Sequence, residues 1–444
     1  MKGIVIAGTG SGVGKTSITT GLLSRLSKTM KVQAYKVGPD FIDPMYHTVA
    51  TGRQARNLDS FLMTEDRIKN LVGYSAKDAD VCVIEGVRGL YEGLSGESDE
   101  CSTAEMAKML GFPVILVINA RSLTRSVAAI IRGFQSFDKD VNIAGVILNN
   151  VSGIQHETKL LEALKKYTNV NVIGIVERNM NNVIGQRHLG LNTIDKTEKE
   201  NIDYLESMVS ELDLDQIMDI CESNAVDDLP DNSPYVERNT GLKAAVPLDD
   251  AFCFYYYENI ECMRASGMNI SFFKPTCGDR IPDADLYYLG GGYPELHAND
   301  ISQNADFLEG LKTASDDGKM IVGECGGLMT MCSSITSSKG VKNKMSGIFD
   351  ANVKMCNRHG PSYVIARTTS ANPLFPDMTV RAHEFHYSEV ELCSDYHYGY
   401  EIIRGTGING RHDGLVYRNS LGSYMHQHAL STDDWLAKIV KKNL

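Results

Sequence analysis

A lysine and a threonine stand directly behind a run of glycines in Gly8-Thr9-Gly10-Ser11-Gly12-Val13-Gly14-Lys15-Thr16. Glycines let a backbone curl until successive N–H groups face one anion, and a following helix N-terminus adds its positive end. In such a loop Thr9, Gly12 and Gly14 shape the cradle, Lys15 reaches the outer phosphates of ATP, and the Thr16 hydroxyl binds Mg2+. Thr9 takes the place of the first glycine in the usual pattern, with Gly8 just before it. Three carboxylates extend the apparatus. Asp40 and Asp43 lie in the Gly/Pro-punctuated Gly38–Pro44 loop, and Glu85 ends the apolar run that starts at Val81. Glu85 and Asp40 are the expected further magnesium ligands, as a metal-assisted phosphoryl transfer requires.

The second constellation is a cysteine in a frame of small residues, Met320-Ile321-Val322-Gly323-Glu324-Cys325-Gly326-Gly327. A sharp strand-to-helix turn exposes the side chain at its tip, and glycines beside the tip make that turn possible. A helix N-terminus behind Cys325 is expected to favour the thiolate. Upstream, Leu289-Gly290-Gly291-Gly292-Tyr293 ends a strand in three glycines. Gly291 and Gly292 are therefore candidates to offer N–H groups to a developing oxyanion. A distant histidine would serve as base and then acid. His426 is the first choice and His428 the second, while His383, His386 and His397 share this half of the chain.

The elements that must position these residues are legible from apolar patterning. Short buried strands are expected at Gly3–Ala7, Val81–Glu85, Val114–Asn119, Ala144–Leu148 and Asn171–Val176, with helices over Ser17–Ser27, Leu123–Phe134 and Glu157–Tyr167 between them. This alternation predicts an α/β architecture with a doubly wound parallel sheet, whose ligands gather at the carboxyl ends of the strands. Arg53, Arg56, Arg88, Arg121 and Arg125 fall near that edge and are candidates to hold a polycarboxylate, since the guanidinium fork matches carboxylate geometry. A second α/β unit starts near Leu242. The acidic stretch between them ends in Asp227-Asp228-Leu229-Pro230-Asp231-Asn232-Ser233-Pro234, the composition of a boundary. The expected domains are 1–194, a linker region 195–240, and 241–444.

At 444 residues the chain exceeds one ordinary core, and 43% hydrophobic with 23% charged residues is a globular composition. A net charge of −12 argues against nucleic acid and anionic membranes as partners. No apolar run reaches the roughly 20 residues of a membrane span. The first residues run straight into a strand, so a cytoplasmic location is expected. Ten scattered cysteines without a CxxC pair fit reduced thiols.

The Glu324-Cys325-Gly326-Gly327 elbow, the Leu-Gly-Gly-Gly-Tyr-Pro-Glu strand end at 289–295 and the Tyr424-Met425-His426 segment resemble a class I glutamine amidotransferase domain. The first half resembles an ATPase of the dethiobiotin-synthetase type, through its phosphate loop, Val37-Gly38-Pro39-Asp40 and Glu85-Gly86-Val87-Arg88-Gly89-Leu90-Tyr91. Together the chain resembles the cobyrinic acid a,c-diamide synthases and their near twins acting on Ni-sirohydrochlorin. That resemblance implies a small polycarboxylate tetrapyrrole as substrate, ATP and L-glutamine as co-substrates, and Mg2+. It implies that Cys325 releases ammonia from glutamine, that ATP activates a carboxylate as an acyl phosphate, and that a sheltered route carries the ammonia. It also implies a glutaminase of Cys and His without the usual third acid, and here Gln427 and His428 follow His426 with no Glu two residues on. Family members usually carry Asp where this chain has Glu92, and an apolar residue where it has Arg88. With Asp43 these two are candidate substrate residues, and they shift the expected substrate towards the nickel tetrapyrrole or dual use. A homodimer is left open. The rival readings are another amidotransferase such as cobyric acid synthase, and a partitioning-type ATPase switch, which leaves Cys325 without a task.

Overall fold

The structure, a computed structural model, describes residues 1–178, 196–356, 362–375, 377–436 and 439–440. They divide into two compact units, the described residues up to Pro234 and those from Tyr235 onward.

The first unit is built on β1 (Gly3–Gly8), β2 (Val32–Val37), β3 (Arg56–Leu58), β4 (Val81–Glu85), β5 (Val114–Asn119), β6 (Ile143–Val151) and β7 (Asn171–Glu177). All pair in parallel, in the order β3-β2-β4-β1-β5-β6-β7. Parallel strands need crossovers, and helices fill them: α1 (Lys15–Ser27), α2 (Ile42–Thr51), α3 (Glu65–Ser75), α4 (Thr103–Leu110), α5 (Ser126–Phe137) and α6 (Ile154–Tyr167). With both faces covered, Ile4, Val5, Ile6 and Ile115 to Val117 are fully buried, which is why these strands read as unbroken apolar runs. The order steps outward from β1 in both directions, so a ligand crevice opens at the carboxyl ends of β1 and β4. The helix expected over 123–134 begins three residues later. Ser122 takes a left-handed φ of 61°, and the Leu123 N–H closes a turn on the Ala120 carbonyl at 2.9 Å before α5 starts.

The acidic region 195–240 is expected as a linker region with helix formers in its first two thirds. Its first two thirds fold as α7 (Lys196–Met208) and α8 (Leu214–Ser223), and Val209, Leu212, Ile217, Ile220 and Cys221 join Ile18, Leu22 and Leu26 in one core. Ser24 donates to Glu206 at 2.8 Å, and the Arg25 guanidinium donates to the Val209 and Leu212 carbonyls at 2.6 and 3.0 Å. The pair is amphipathic, with its charges facing outward. Ile217→Ala is therefore expected to destabilise the first unit by about 2–5 kcal/mol, read as a lower denaturant midpoint. A true linker would leave that midpoint in place.

The second unit carries β8 (Lys243–Pro247), α9 (Tyr257–Ala265), β9 (Asn269–Phe273), β10 (Leu286–Leu289), α10 (Ala298–Gln303), α11 (Ala305–Asp316), β11 (Met320–Glu324) and α12 (Gly326–Met331). Then come β12 (Ser334–Thr336), β13 (Lys342–Lys344), β14 (Ala351–Met355), β15 (Ser362–Thr368), β16 (Thr379–Glu384), β17 (Ser388–Leu392), β18 (His397–Arg404), β19 (His412–Tyr417) and β20 (Ser420–Ser423). The main sheet runs β16-β15-β18-β19-β20-β11-β10-β8-β9, parallel from β20 to β9 and antiparallel in the other arm. Strands β13, β12, β14 and β17 form a small second sheet. Three adjacent parallel strands, β10, β11 and β20, end at Leu289, Glu324 and Ser423, directly before the glycine triplet, Cys325 and the His426 segment.

Candidate functional site

In the first unit the loop between β1 and α1 has the backbone a phosphate cradle needs. Gly14 has φ 97°, and a Cβ there would meet Asn149 Nδ2 at 2.2 Å, so only glycine fits. Asn149, at the end of β6, donates to the Val13 carbonyl at 2.8 Å and braces the loop from below. The buried Lys15 ammonium donates to the Arg88 carbonyl and lies 3.5 Å from that of Gly10. Burial, then the neighbouring Lys36, pushes its pKa down.

Behind Lys15 lies a compact charge network. The Thr16 hydroxyl donates to Glu85 Oε1 at 2.7 Å and lies 3.3 Å from Asp43 Oδ2. Lys36 Nζ is 2.8 Å from Glu85 and 2.5 Å from Asp43, and His47 Nε2 is 2.7 Å from Glu85 Oε2. Against the upward push of burial, Lys36 and His47 hold the Glu85 carboxyl below the carboxylate range. Burial, then the Glu85 charge, pushes Asp43 up instead. Asp43 thus stands beside Thr16 and Lys36. Asp40 accepts the N–H groups of Ile42 and Asp43 at 2.6 and 3.2 Å, tying down the start of α2.

In the second unit Cys325 sits at φ 49°, ψ −96°, a left-handed outlier for a residue with a side chain and the strained tip an elbow requires. Its N–H continues the sheet to the Ser423 carbonyl at 2.7 Å, while its own carbonyl accepts the first bond of α12 from Met329 at 3.0 Å. The thiol is buried, and burial, then Glu295, pushes its pKa well above the ordinary value, outweighing the Gly326 N–H. Burial first and the Glu295 charge second thus oppose the thiolate expected from the helix end, and α12 is only six residues long. A resting thiol in this setting needs a base to become a nucleophile.

The two histidines part company. The His426 ring abuts Gly291, where a Cβ would meet Cε1 at 2.4 Å and Nε2 at 3.3 Å. The neighbouring Gly292 N lies 3.2 Å from where a Gly326 Cβ would stand. The glycine triplet thus runs between the His426 ring and the turn that carries Cys325. Gly292 has φ 150°, and a Cβ there would strike the Ala251 carbonyl at 2.2 Å. His428 turns elsewhere: its Nδ1 accepts from the Leu430 N–H at 3.1 Å, and its Nε2 faces Glu258 at 3.4 Å. Gly291→Ala is accordingly expected to displace the His426 ring and lower glutamine-supported turnover by about 100-fold. Ammonia-supported synthesis measured in parallel should stay at the parent level.

Comparison with known proteins supplies the family. Residues 4–188 match the CobQ/CobB/MinD/ParA nucleotide binding domain, and residues 243–434 match the CobB/CobQ-like glutamine amidotransferase domain. The cobyrinate a,c-diamide synthase of Methanosphaera stadtmanae is 43% identical, over 98% of this chain and 97% of that protein. Those of Methanococcus vannielii and Methanocaldococcus jannaschii are 43% and 42% identical, covering 97% and 99% of each chain. The chain belongs to the cobyrinate a,c-diamide synthase family.

As a member of that family the chain is an enzyme, a ligase that hydrolyses glutamine, with a nucleotide-binding half and an amidotransferase half. A nucleotide switch alone would leave the second half of this match unexplained. No helix among the described residues is long and apolar enough to cross a membrane.

The five arginines do not gather at one place in this family member. Arg53 lies at the amino end of β2, donating to Gln33 Oε1 at 3.3 Å and to both Asp78 oxygens at 2.8 and 3.0 Å, and Arg56 is buried in β3. Arg88, Arg121 and Arg125 remain in the loops that follow β4 and β5. Arg121 lines a cavity of about 210 Å³ with Ser122, Asn150, Ser152, His156 and Arg178. Arg88, at φ 47°, meets Lys15 through its carbonyl and not its guanidinium. Glu92 folds back to accept the Gly89 N–H at 2.9 Å. Sequence reasoning missed Lys36, His47 and Asn149. Lys36, next to last in β2 and two residues before Gly38-Pro39-Asp40, was the one with a readable position.

Proposed function

We propose that this chain converts two carboxylates of a tetrapyrrole, the a and c groups of cobyrinate or of Ni-sirohydrochlorin, into carboxamides, using ATP and glutamine. The observation that carries the reading is the pairing, on one chain, of the Lys15–Thr16–Glu85 assembly with the Cys325–Gly291–His426 arrangement. A carboxylate is a poor electrophile, so it must first gain a leaving group. The substrate carboxylate attacks the γ-phosphorus of ATP and ADP departs, giving an acyl phosphate. Ammonia then adds to that carbonyl and inorganic phosphate leaves as the amide forms.

Lys15 carries the charge that follows the transferring phosphoryl group, and an anion beside it relieves the cost of its burial. Thr16, Asp43 and Glu85 offer hard oxygen donors from three elements, a set suited to Mg2+, which when bound neutralises charge on the phosphates. Lys36 and His47 keep Glu85 ionised and aimed. In the other half His426 takes the Cys325 proton as sulfur bonds to the glutamine carboxamide carbon. The same proton leaves with the amine as the C–N bond breaks, and water releases glutamate from the thioester. The Gly291 N–H is taken by the Phe254 carbonyl at 3.2 Å, which overturns its expected oxyanion role and leaves the Gly292 N–H as the candidate donor.

The test is an end-point assay by mass spectrometry with ATP, Mg2+ and glutamine, offering cobyrinate and Ni-sirohydrochlorin in parallel. A diamide from either establishes the reaction, and the ratio of initial rates names the preferred tetrapyrrole. Sustained glutamine-independent ATP hydrolysis with neither substrate amidated would overturn the proposal.

A further inference from the structure

We propose that Glu324 is the acid that orients His426, so that the glutaminase half works with a Cys325–His426–Glu324 triad whose acid stands immediately before its nucleophile. The inference rests on reading Cys325 as nucleophile and His426 as base. An acid two residues after the histidine is absent, because His428 holds that position and pairs with Glu258. Glu324, the last residue of β11, reaches the same nitrogen from another direction. Its Oε2 lies 3.7 Å from His426 Nδ1, and both side chains are buried.

The carboxylate is fixed from several sides. Tyr288 OH donates to Oε2 at 3.1 Å, and the Gln427 N–H donates to Oε1 at 3.2 Å. Asn259 closes the ring by donating to Tyr288 OH at 2.9 Å and to the Gln427 carbonyl at 2.7 Å, while accepting the Ala429 N–H at 2.7 Å. The network therefore holds the acid and the backbone just past His426 together. The imidazole is confined as well. One face stacks on His383 at 4.9 Å between centroids, His383 is itself held by Tyr256 OH at 2.9 Å, and the Cε1–Nε2 edge meets Gly291. Nδ1 thus lies towards the acid and Nε2 towards the Gly291 backbone.

A buried carboxylate is costly without a cation beside it. When His426 takes the thiol proton, the imidazolium is that cation, and the attraction exists only once charge has moved. Such a contact lowers the barrier without strengthening glutamine binding. Contacts of this kind are often long in the resting enzyme and tighten as the base is protonated.

The test uses the full chain with Glu324→Gln and Glu324→Asp. The amide keeps the shape and an oxygen for the Gln427 N–H but removes the charge, whereas aspartate keeps the charge at shorter reach. For Gln, kcat for glutamine hydrolysis is expected to fall about 10- to 100-fold with KM for glutamine within about twofold. Amidation from added ammonia should stay at the parent level, and Asp should recover part of the loss. A kcat within twofold of the parent for Gln, an Asp variant no better than Gln, or a joint fall of the ammonia-supported rate would each overturn the proposal. Cys325→Ala run alongside separates the two levels, because glutamine use surviving in that variant refutes the site itself.

Discussion

Replacing Lys15 with alanine is expected to remove amide synthesis whether the nitrogen comes from glutamine or from added ammonia. Among the described residues the ammonium, buried beside Lys36, is hydrogen-bonded to the Arg88 and Gly10 carbonyls. The charges of Glu85, Asp43 and Glu92 offset its burial only in part, so an arriving phosphate relieves the rest. Removing a preorganised charge of this kind costs on the order of 100- to 1,000-fold in rate. Both nitrogen donors depend on the activated carboxylate, so both assays should fall together, with glutamine hydrolysis read separately as glutamate release. Synthesis that survives with either donor would show that the phosphate assignment is wrong.

Cys325→Ala is expected to have the opposite selectivity. Glutamine-supported synthesis should fall to background, a loss on the order of 10,000-fold or more, as when a nucleophile is removed from a hydrolase. Synthesis from ammonium chloride at raised pH should persist, because the Lys15–Thr16–Glu85 assembly belongs to another compact unit. Loss of both activities would sink this separation of roles. Reaction with a thiol alkylating agent gives an independent reading. The buried, high-pKa thiol should alkylate slowly on its own, since only the thiolate is a nucleophile.

The parts of these sites that sequence makes legible are those whose chemistry is local in the chain. A phosphate loop, a glycine-framed cysteine and a strand ending in three glycines each place residue type and backbone conformation within ten positions. His47 and Lys36 are different, because nothing near them in the chain announces Glu85, almost forty and fifty residues further on. The Glu324–His426 approach spans about a hundred residues and exists only because β11 and β20 are sheet neighbours. Residues 195–240 show a related division. Their charges are visible in composition, while the buried face of α7 and α8 takes its meaning from the back of α1. The antiparallel arm β16-β15-β18-β19 was also invisible, since short alternating strands carry weak signals when they pair over long separations.

The glutaminase residues arrive on the carboxyl ends of three hydrogen-bonded neighbours, β10, β11 and β20, in the interior of a nine-stranded sheet. Their spacing is inherited from the ladder and not from any loop's choice of conformation. Interior strands open only near the free energy of unfolding the whole unit, whereas loop-borne sites come apart early. Glutaminase activity should therefore survive heating right up to the melting of the sheet and be lost in the same step as its far-ultraviolet circular dichroism. A cysteine held at that sheet end should be as heat-resistant as the core.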